Sequence, residues 1–215
     1  MVLRRLTIAD SFPINARMLE VLAIAARGQA HSLITVAVGT GMRPGELFAL
    51  RWEAVDFAGG KIHVRRARSS GKDKAPKTKG SRRAIDMSAP VRAALQDQRA
   101  RTQLGGSYVF VGQRLRRPVD AHNWNRREWG RILSAAKVRF RPFGQCRHTF
   151  ATLLLSAPEV DLRYIADQMG HKNLEMLIEH YLAWLPGRAP KPPSDVIAGV
   201  LGIRANMKDA SERKL

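Results

Sequence analysis

Residues 31–52, HSLITVAVGTGMRPGELFALRW, set the frame for the rest of the chain. The run 31–39 is nearly all apolar, which fits a helix buried on all sides rather than one with a wet face. TGM at 40–42 then makes a turn. Pro44 suits the first position of a new helix, where its missing N–H and fixed φ cost nothing. Between the two apolar stretches sit one arginine and one glutamate, Arg43 and Glu46. On an open surface such a pair contributes only ~0–1 kcal/mol. Flanked by LITVAVG and LFAL, the pair is expected to be partly buried, where a guanidinium needs a reason to sit.

Working outward, residues 14–27 repeat apolar side chains at helical spacing and stop at Gly28. KIHVRR (61–66) and RRAIDM (82–87) alternate as strands do, with a Gly/Lys/Ser-rich loop between them, predicting a hairpin or meander with a basic tip. Helical patterning resumes over 90–104 and, after the short apolar YVFV (108–111), over 120–137 and 147–155. Asp161 is placed to cap the helix LRYIADQM, which ends at Gly170, and Asn173 to cap a last helix over 174–184. Tyr181 falls on the apolar face of that last helix with Leu174, Leu177 and Ile178, the position of an ordinary core residue. PGRAPKPP (186–193) reads as a linker to a C-terminal tail with one short helix. The fold class expected is mainly α with a small antiparallel β-sheet (α+β).

With 215 residues, 45% of them apolar and 26% charged, the chain has the balance of a folded domain. No run approaches the ~18 apolar residues of a membrane helix, and Arg4 and Arg5 lead into no apolar segment of a secretion signal. Cys146 is the single cysteine, so no internal disulfide or cysteine metal cluster is expected, and a reducing cytoplasm fits. The charge is more informative: 37 Lys and Arg against 18 acids, a formal +19. Residues 61–83 hold ten of these cations and one acid, Asp73; residues 113–147 hold ten more against Asp120 and Glu128. Apolar residues interleave both clusters, so they read as folded surfaces facing one large anion, with nucleic acid the leading partner.

At a phosphodiester, an enzyme without a metal needs a nucleophile, fixed positive donors on the non-bridging oxygens and an acid for the leaving oxygen. Arginine suits the second role through its planar, permanently charged fork. The chain carries no HExxH, paired carboxylates or GKS/T loop, so no metal or nucleotide cofactor is expected. TGMRPGELFALRWEAVDF, KTKGSRRAI, CRHTFAT and MGHKNLEMLIEHY, taken in that order, resemble the boxes of the tyrosine recombinases, the phage-integrase family. The resemblance spans roughly residues 12–184. It implies a catalytic domain over 12–185, a short extension over 1–11 and a linker with tail over 186–215. The N-terminal core-binding domain usual in the family is expected to be absent.

The resemblance further implies roles. Arg43 and Arg147 are the two catalytic arginines, and Glu46 is the acid that orients Arg43. Lys77, with Lys79 as its rival, is the acid for the leaving 5′ oxygen. His171 contacts the phosphate, and Tyr181, ten residues later, is the nucleophile. His148 is a supporting, packing residue, and Lys79, Arg82, Arg83 and Arg141 are expected on DNA. The partner implied is double-stranded DNA bound by a homo-oligomer, a tetramer on DNA and a monomer alone, in the bacterial cytoplasm at the nucleoid. The tail resembles a segment that docks on a neighbouring protomer. One position departs: where the family usually has histidine, three residues before Arg147, stands Gly144, unless a one-residue loop shift brings Phe143 there. Gly144 keeps open a second reading, a weakly active or inactive DNA-binding regulator on the same fold.

Overall fold

The computed structural model describes residues 16–74, 82–112, 117–157, 159–171 and 174–175, with side chains from residue 21 onward. Residues 1–184 form one unit and 185–215 another, and the second lies outside the described residues. The apolar pattern before Gly28 is realised as helix α1, Ala16–Ala25, and the apolar run after it as α2, Gln29–Thr40. Leu33 and Val36 of α2 are fully enclosed, and the hydroxyl residues Ser32 and Thr40 are buried too, Thr40 donating to the Val36 carbonyl at 2.5 Å. α2 ends at Gly41 with φ +61, and a Cβ there would lie 2.4 Å from Phe150 Cδ1. Both the backbone angle and the space therefore demand glycine. Helix α3, Pro44–Phe48, follows at once with its proline in the first turn.

Three strands make an antiparallel sheet in the order β1 (Val55–Asp56), β2 (Lys61–Val64), β5 (Arg83–Asp86). Ile62 pairs with both Val55 and Ile85, and Ile62, Val64 and Ile85 turn to the core at every second position. Between β2 and β5, where the sequence predicts a loop, the chain forms a second ladder, β3 (Ala67–Ser69) and β4 (Lys72–Lys74). Ser70 and Gly71 turn it, both with positive φ, as a two-residue hairpin turn of matching twist requires.

Helix α4, Ala89–Thr102, packs along α2. The buried Gln98 side-chain amide donates to the Val109 carbonyl (2.8 Å) and to Gln29 Oε1 (2.8 Å), tying the YVFV segment to both helices. The next helical stretch begins as α5, Ala121–Asn123, widens to a π-helix over Trp124–Trp129 and closes as α6, Gly130–Ala135. An i→i+5 turn brings residues five apart onto one face. Trp124 and Trp129 thereby both meet the Phe143 ring edge-to-face, at 5.5 and 5.1 Å between centroids. Asn125 Oδ1 accepts from the Phe143 N–H (2.8 Å), and Trp129 Nε1 donates to the Arg141 carbonyl (2.6 Å). The π-turn thus grips the loop that launches α7, Gln145–Leu155.

α8, Leu162–Met169, starts as expected at Asp161, whose Oδ1 accepts from the Arg163 (2.6 Å) and Tyr164 (3.1 Å) amides. Among the described residues no helix is long and apolar enough to cross a membrane. The expected helix over 174–184 and everything beyond it lie outside the described residues, apart from 174–175. Gly41→Ala is predicted to cost about 2 kcal/mol or more, from the positive φ together with the collision with Phe150. Urea unfolding would read this as a lower midpoint at unchanged slope; a loss under about 0.5 kcal/mol would contradict this packing.

Candidate functional site

Glu46 is 4% exposed and holds the two ends of a three-residue cluster. Its carboxylate accepts from the Arg43 backbone N–H (2.9 Å) and from Arg43 Nη1 (3.0 Å), which fixes the chain at the start of α3. From the other side Arg83 donates to it in bidentate fashion, Nη1 to Oε1 at 3.1 Å and Nη2 to Oε2 at 2.9 Å. Burial alone would raise the Glu46 carboxyl, but the Arg83 fork, the Arg43 amide and the Arg43 charge together hold it below the usual carboxylate range. Arg43 keeps its side chain 42% exposed, so the pair presents a restrained guanidinium to solvent.

The second centre is Arg147, 8% exposed on α7. Its Nη1 donates to the Gly41 carbonyl (2.8 Å) and its Nη2 to the Met169 carbonyl (2.7 Å). One guanidinium thus joins the C-terminal ends of α2 and α8, where unpaired carbonyls and the helix dipole favour a cation. Gly41 stands two residues before Arg43, and Met169 two before His171. α8 closes with Gly170 at φ +67, the His171 N–H bonding the Ala166 carbonyl (2.9 Å) and the Gly170 N–H that of Asp167 (3.0 Å). That paired cap fixes where His171, half-buried, leaves the helix. Arg43, Arg147 and His171, three residues singled out from sequence, are therefore brought to one place.

Other expected residues are distributed differently. Arg82 is exposed and Arg141 and His148 are half-buried. Arg83, expected among the DNA-facing cations, instead turns inward: its side chain is 6% exposed, bound to Glu46 and, through Nε, to the Gln168 carbonyl at 2.7 Å. Lys77, Lys79 and Tyr181 lie outside the described residues. The hairpin that leads to the two lysines is anchored by Asp73, which accepts from Tyr108 (2.6 Å), Arg68 (2.5 Å) and Arg51 (3.5 Å). Burial would raise the Asp73 carboxyl, and these donors together keep it low.

Phe143 is 3% exposed inside the aromatic cluster, so no loop shift brings it to the position of Gly144. A Cβ built on Gly144 would meet only Pro44 Cγ, at 3.8 Å, so there is room for one there. Two of the three tyrosines are bound to acids: Tyr108 to Asp73, and Tyr164 to Asp86 at 2.7 Å. Burial, with the Asp86 charge, pushes the Tyr164 phenol up to about 12, which suits no nucleophile.

The model of the phage integrase family matches residues 16–186. The chain is 31% identical over 182 residues to an Escherichia coli K12 protein named "Putative defective protein IntQ", covering 73% of this chain and 46% of that one. It is 30% identical over 196 residues to prophage integrase IntR of the same organism, covering 80% and 47%. The chain thus spans about half the length of these curated relatives. The integrase of transposon Tn1549, solved in complex with a circular intermediate DNA, superposes with a TM-score of 0.72 over 89% of this chain and 66% of that one, at 22% identity.

Because Glu46 is the acid facing the buried Arg83, Glu46→Gln is predicted to cost about 3–5 kcal/mol at neutral pH. Pairing it with Arg83→Met removes the stranded cation and is expected to restore part of that stability. A lowered carboxyl pKa stabilises above the unfolded value, here 4.5, and that contribution is lost as pH falls through the lower folded value. The gap in urea midpoint between parent and Glu46→Gln should therefore narrow as pH falls from neutral to below pH 4. A constant gap across that range would contradict the cluster's electrostatics.

Proposed function

The chain belongs to the phage integrase family, and on that premise we propose that it supplies the strand-exchange chemistry of a tyrosine recombinase on double-stranded DNA. Tyr181 Oη attacks the scissile phosphorus, the bond from phosphorus to the 5′ oxygen breaks, and a 3′-phosphotyrosine link forms. The tyrosine proton passes to His171 or to water, and Lys77 gives a proton to the departing 5′ oxygen. Arg43, Arg147 and His171 stabilise charge on the non-bridging oxygens as the phosphorane forms. A 5′ hydroxyl of a partner duplex then reverses the step, so one phosphoester replaces another and neither ATP nor a metal is consumed. The protein is expected to act as a homo-tetramer assembled on DNA from monomers, at the nucleoid.

The observation that carries this reading is the Arg147 guanidinium bound to the Gly41 and Met169 carbonyls, because it sets the segments bearing Arg43 and His171 side by side. Two further points support it. The other two tyrosines, Tyr108 and Tyr164, are each bound to a carboxylate, Asp73 and Asp86, which suits neither as a nucleophile. The Tn1549 integrase, which shares the fold, was solved on DNA.

With nicked duplex in EDTA, the purified chain is expected to leave a protein–DNA adduct that survives denaturation and is lost in Tyr181→Phe. Gly144→His is expected to raise the rate of adduct formation about tenfold to a hundredfold by restoring a contact at the phosphate. DNA binding without any adduct in either the parent or Gly144→His would favour the non-catalytic regulator. The affinity for duplex should fall at least about tenfold between roughly 50 and 200 mM salt, because most contacts are to phosphate; an affinity independent of salt would contradict the electrostatic part.

A further inference from the structure

We propose that Arg83 is a positioning residue of this site, holding the Arg43–Glu46 pair at a fixed distance from the end of α8. The proposal rests on the recombinase reading. The guanidinium uses both faces of its fork: Nη1 and Nη2 bind the two Glu46 oxygens (3.1 and 2.9 Å), while Nε binds the Gln168 carbonyl (2.7 Å). Glu46 in turn holds Arg43 through its amide and Nη1. Gln168 stands three residues before His171, in the last turn of the helix whose cap places that histidine. The Asp86 amide, on the same strand as Arg83, donates to Gln168 Oε1 (2.9 Å), so β5 grips this residue by both backbone and side chain.

The fit around Arg83 is close on its remaining side. A Cβ on Gly170 would stand 3.0 Å from Nη1 and 3.1 Å from Cδ, so the left-handed glycine that ends α8 is packed against the guanidinium it faces. A planar fork can bind a carboxylate on one edge and a carbonyl through Nε at once, and a lysine ammonium cannot reproduce that geometry. Arg82 and Arg83 both border an open, polar cleft with Arg65 and Arg66, but Arg83 stands in phase with the fully buried Ile85 on β5 and keeps its side chain only 6% exposed, whereas Arg82 is exposed. The two adjacent arginines thus have separate tasks: Arg82 faces the anion, and Arg83 sets the distance between the phosphate-binding groups.

The test compares Arg83→Lys, which keeps a charge against Glu46, with Arg83→Gln and Arg82→Gln. Duplex affinity and its salt dependence are measured, and then the single-turnover rate of adduct formation at saturating nicked DNA. Arg83→Lys is expected to bind DNA within about twofold of the parent but to form adduct at least about tenfold more slowly, since a shift of an ångström at reacting groups can cost about a hundredfold. Arg83→Gln should lose more rate, again without loss of salt dependence, while Arg82→Gln should weaken binding and flatten the salt dependence. Loss of affinity and salt dependence in Arg83→Lys, or an unchanged rate, would overturn the proposal.

Should neither the parent chain nor Gly144→His form an adduct, the recombinase reading fails by itself, and the positioning claim is then decided by NMR of the DNA-free protein. Arg83→Lys should move the Arg43 Nε–H and His171 imidazole signals and leave those of His31 and His122 in place. Unmoved Arg43 and His171 signals would overturn it.

Discussion

Helix α8 ends inside the protein, and the structure of the site follows from how that end is satisfied. The last carbonyls of a helix have no intrahelical partner. Here Gln168 is 7% and Met169 0% exposed, so protein groups must meet them. Two arginines from distant parts of the chain do so, Arg83 on the Gln168 carbonyl and Arg147 on that of Met169. Arg147 also takes the Gly41 carbonyl at the end of α2. Guanidiniums at helix C-termini are electrostatically favourable, and in being held there they draw the turn before Arg43 and the cap before His171 together.

Burying cations carries a penalty unless a counter-charge is at hand. Glu46 answers it for Arg83 and restrains Arg43 at the same time, so one carboxylate at 4% exposure governs the geometry of two arginines, one buried and one exposed. The Arg43 and Arg147 guanidiniums are both held by protein groups. In the proposed reaction that preorganisation is the main source of rate, because little reorganisation remains to be done as charge develops.

Much of this was legible in the residues. The apolar run over 31–39, the turn at Gly41, Pro44 at a helix start, Asp161 and Gly170 as caps and the paired strands 61–64 and 83–86 follow from periodicity and turn chemistry. The β3–β4 ladder does not, since ARS and KDK offer no apolar alternation to distinguish strand from loop. Nor does the π-turn, which the spacing of Trp124 and Trp129 explains only once Phe143 is seen between them. The inward turn of Arg83 was encoded too: in a period-two strand it shares a face with Ile85, and that outweighs the basic company it keeps in sequence. Arg147 is the reverse case. Its described partners are backbone carbonyls of Gly41 and Met169, which no side-chain pattern announces.

Mapping the residue that becomes linked to DNA addresses the central claim most directly. The covalent complex would be digested with trypsin and nuclease and the nucleotide-bearing peptide sequenced by tandem mass spectrometry. The nucleotide is expected on Tyr181, within the peptide 173–188. A nucleotide on Tyr164, in peptide 164–172, or on any residue other than Tyr181, would contradict it.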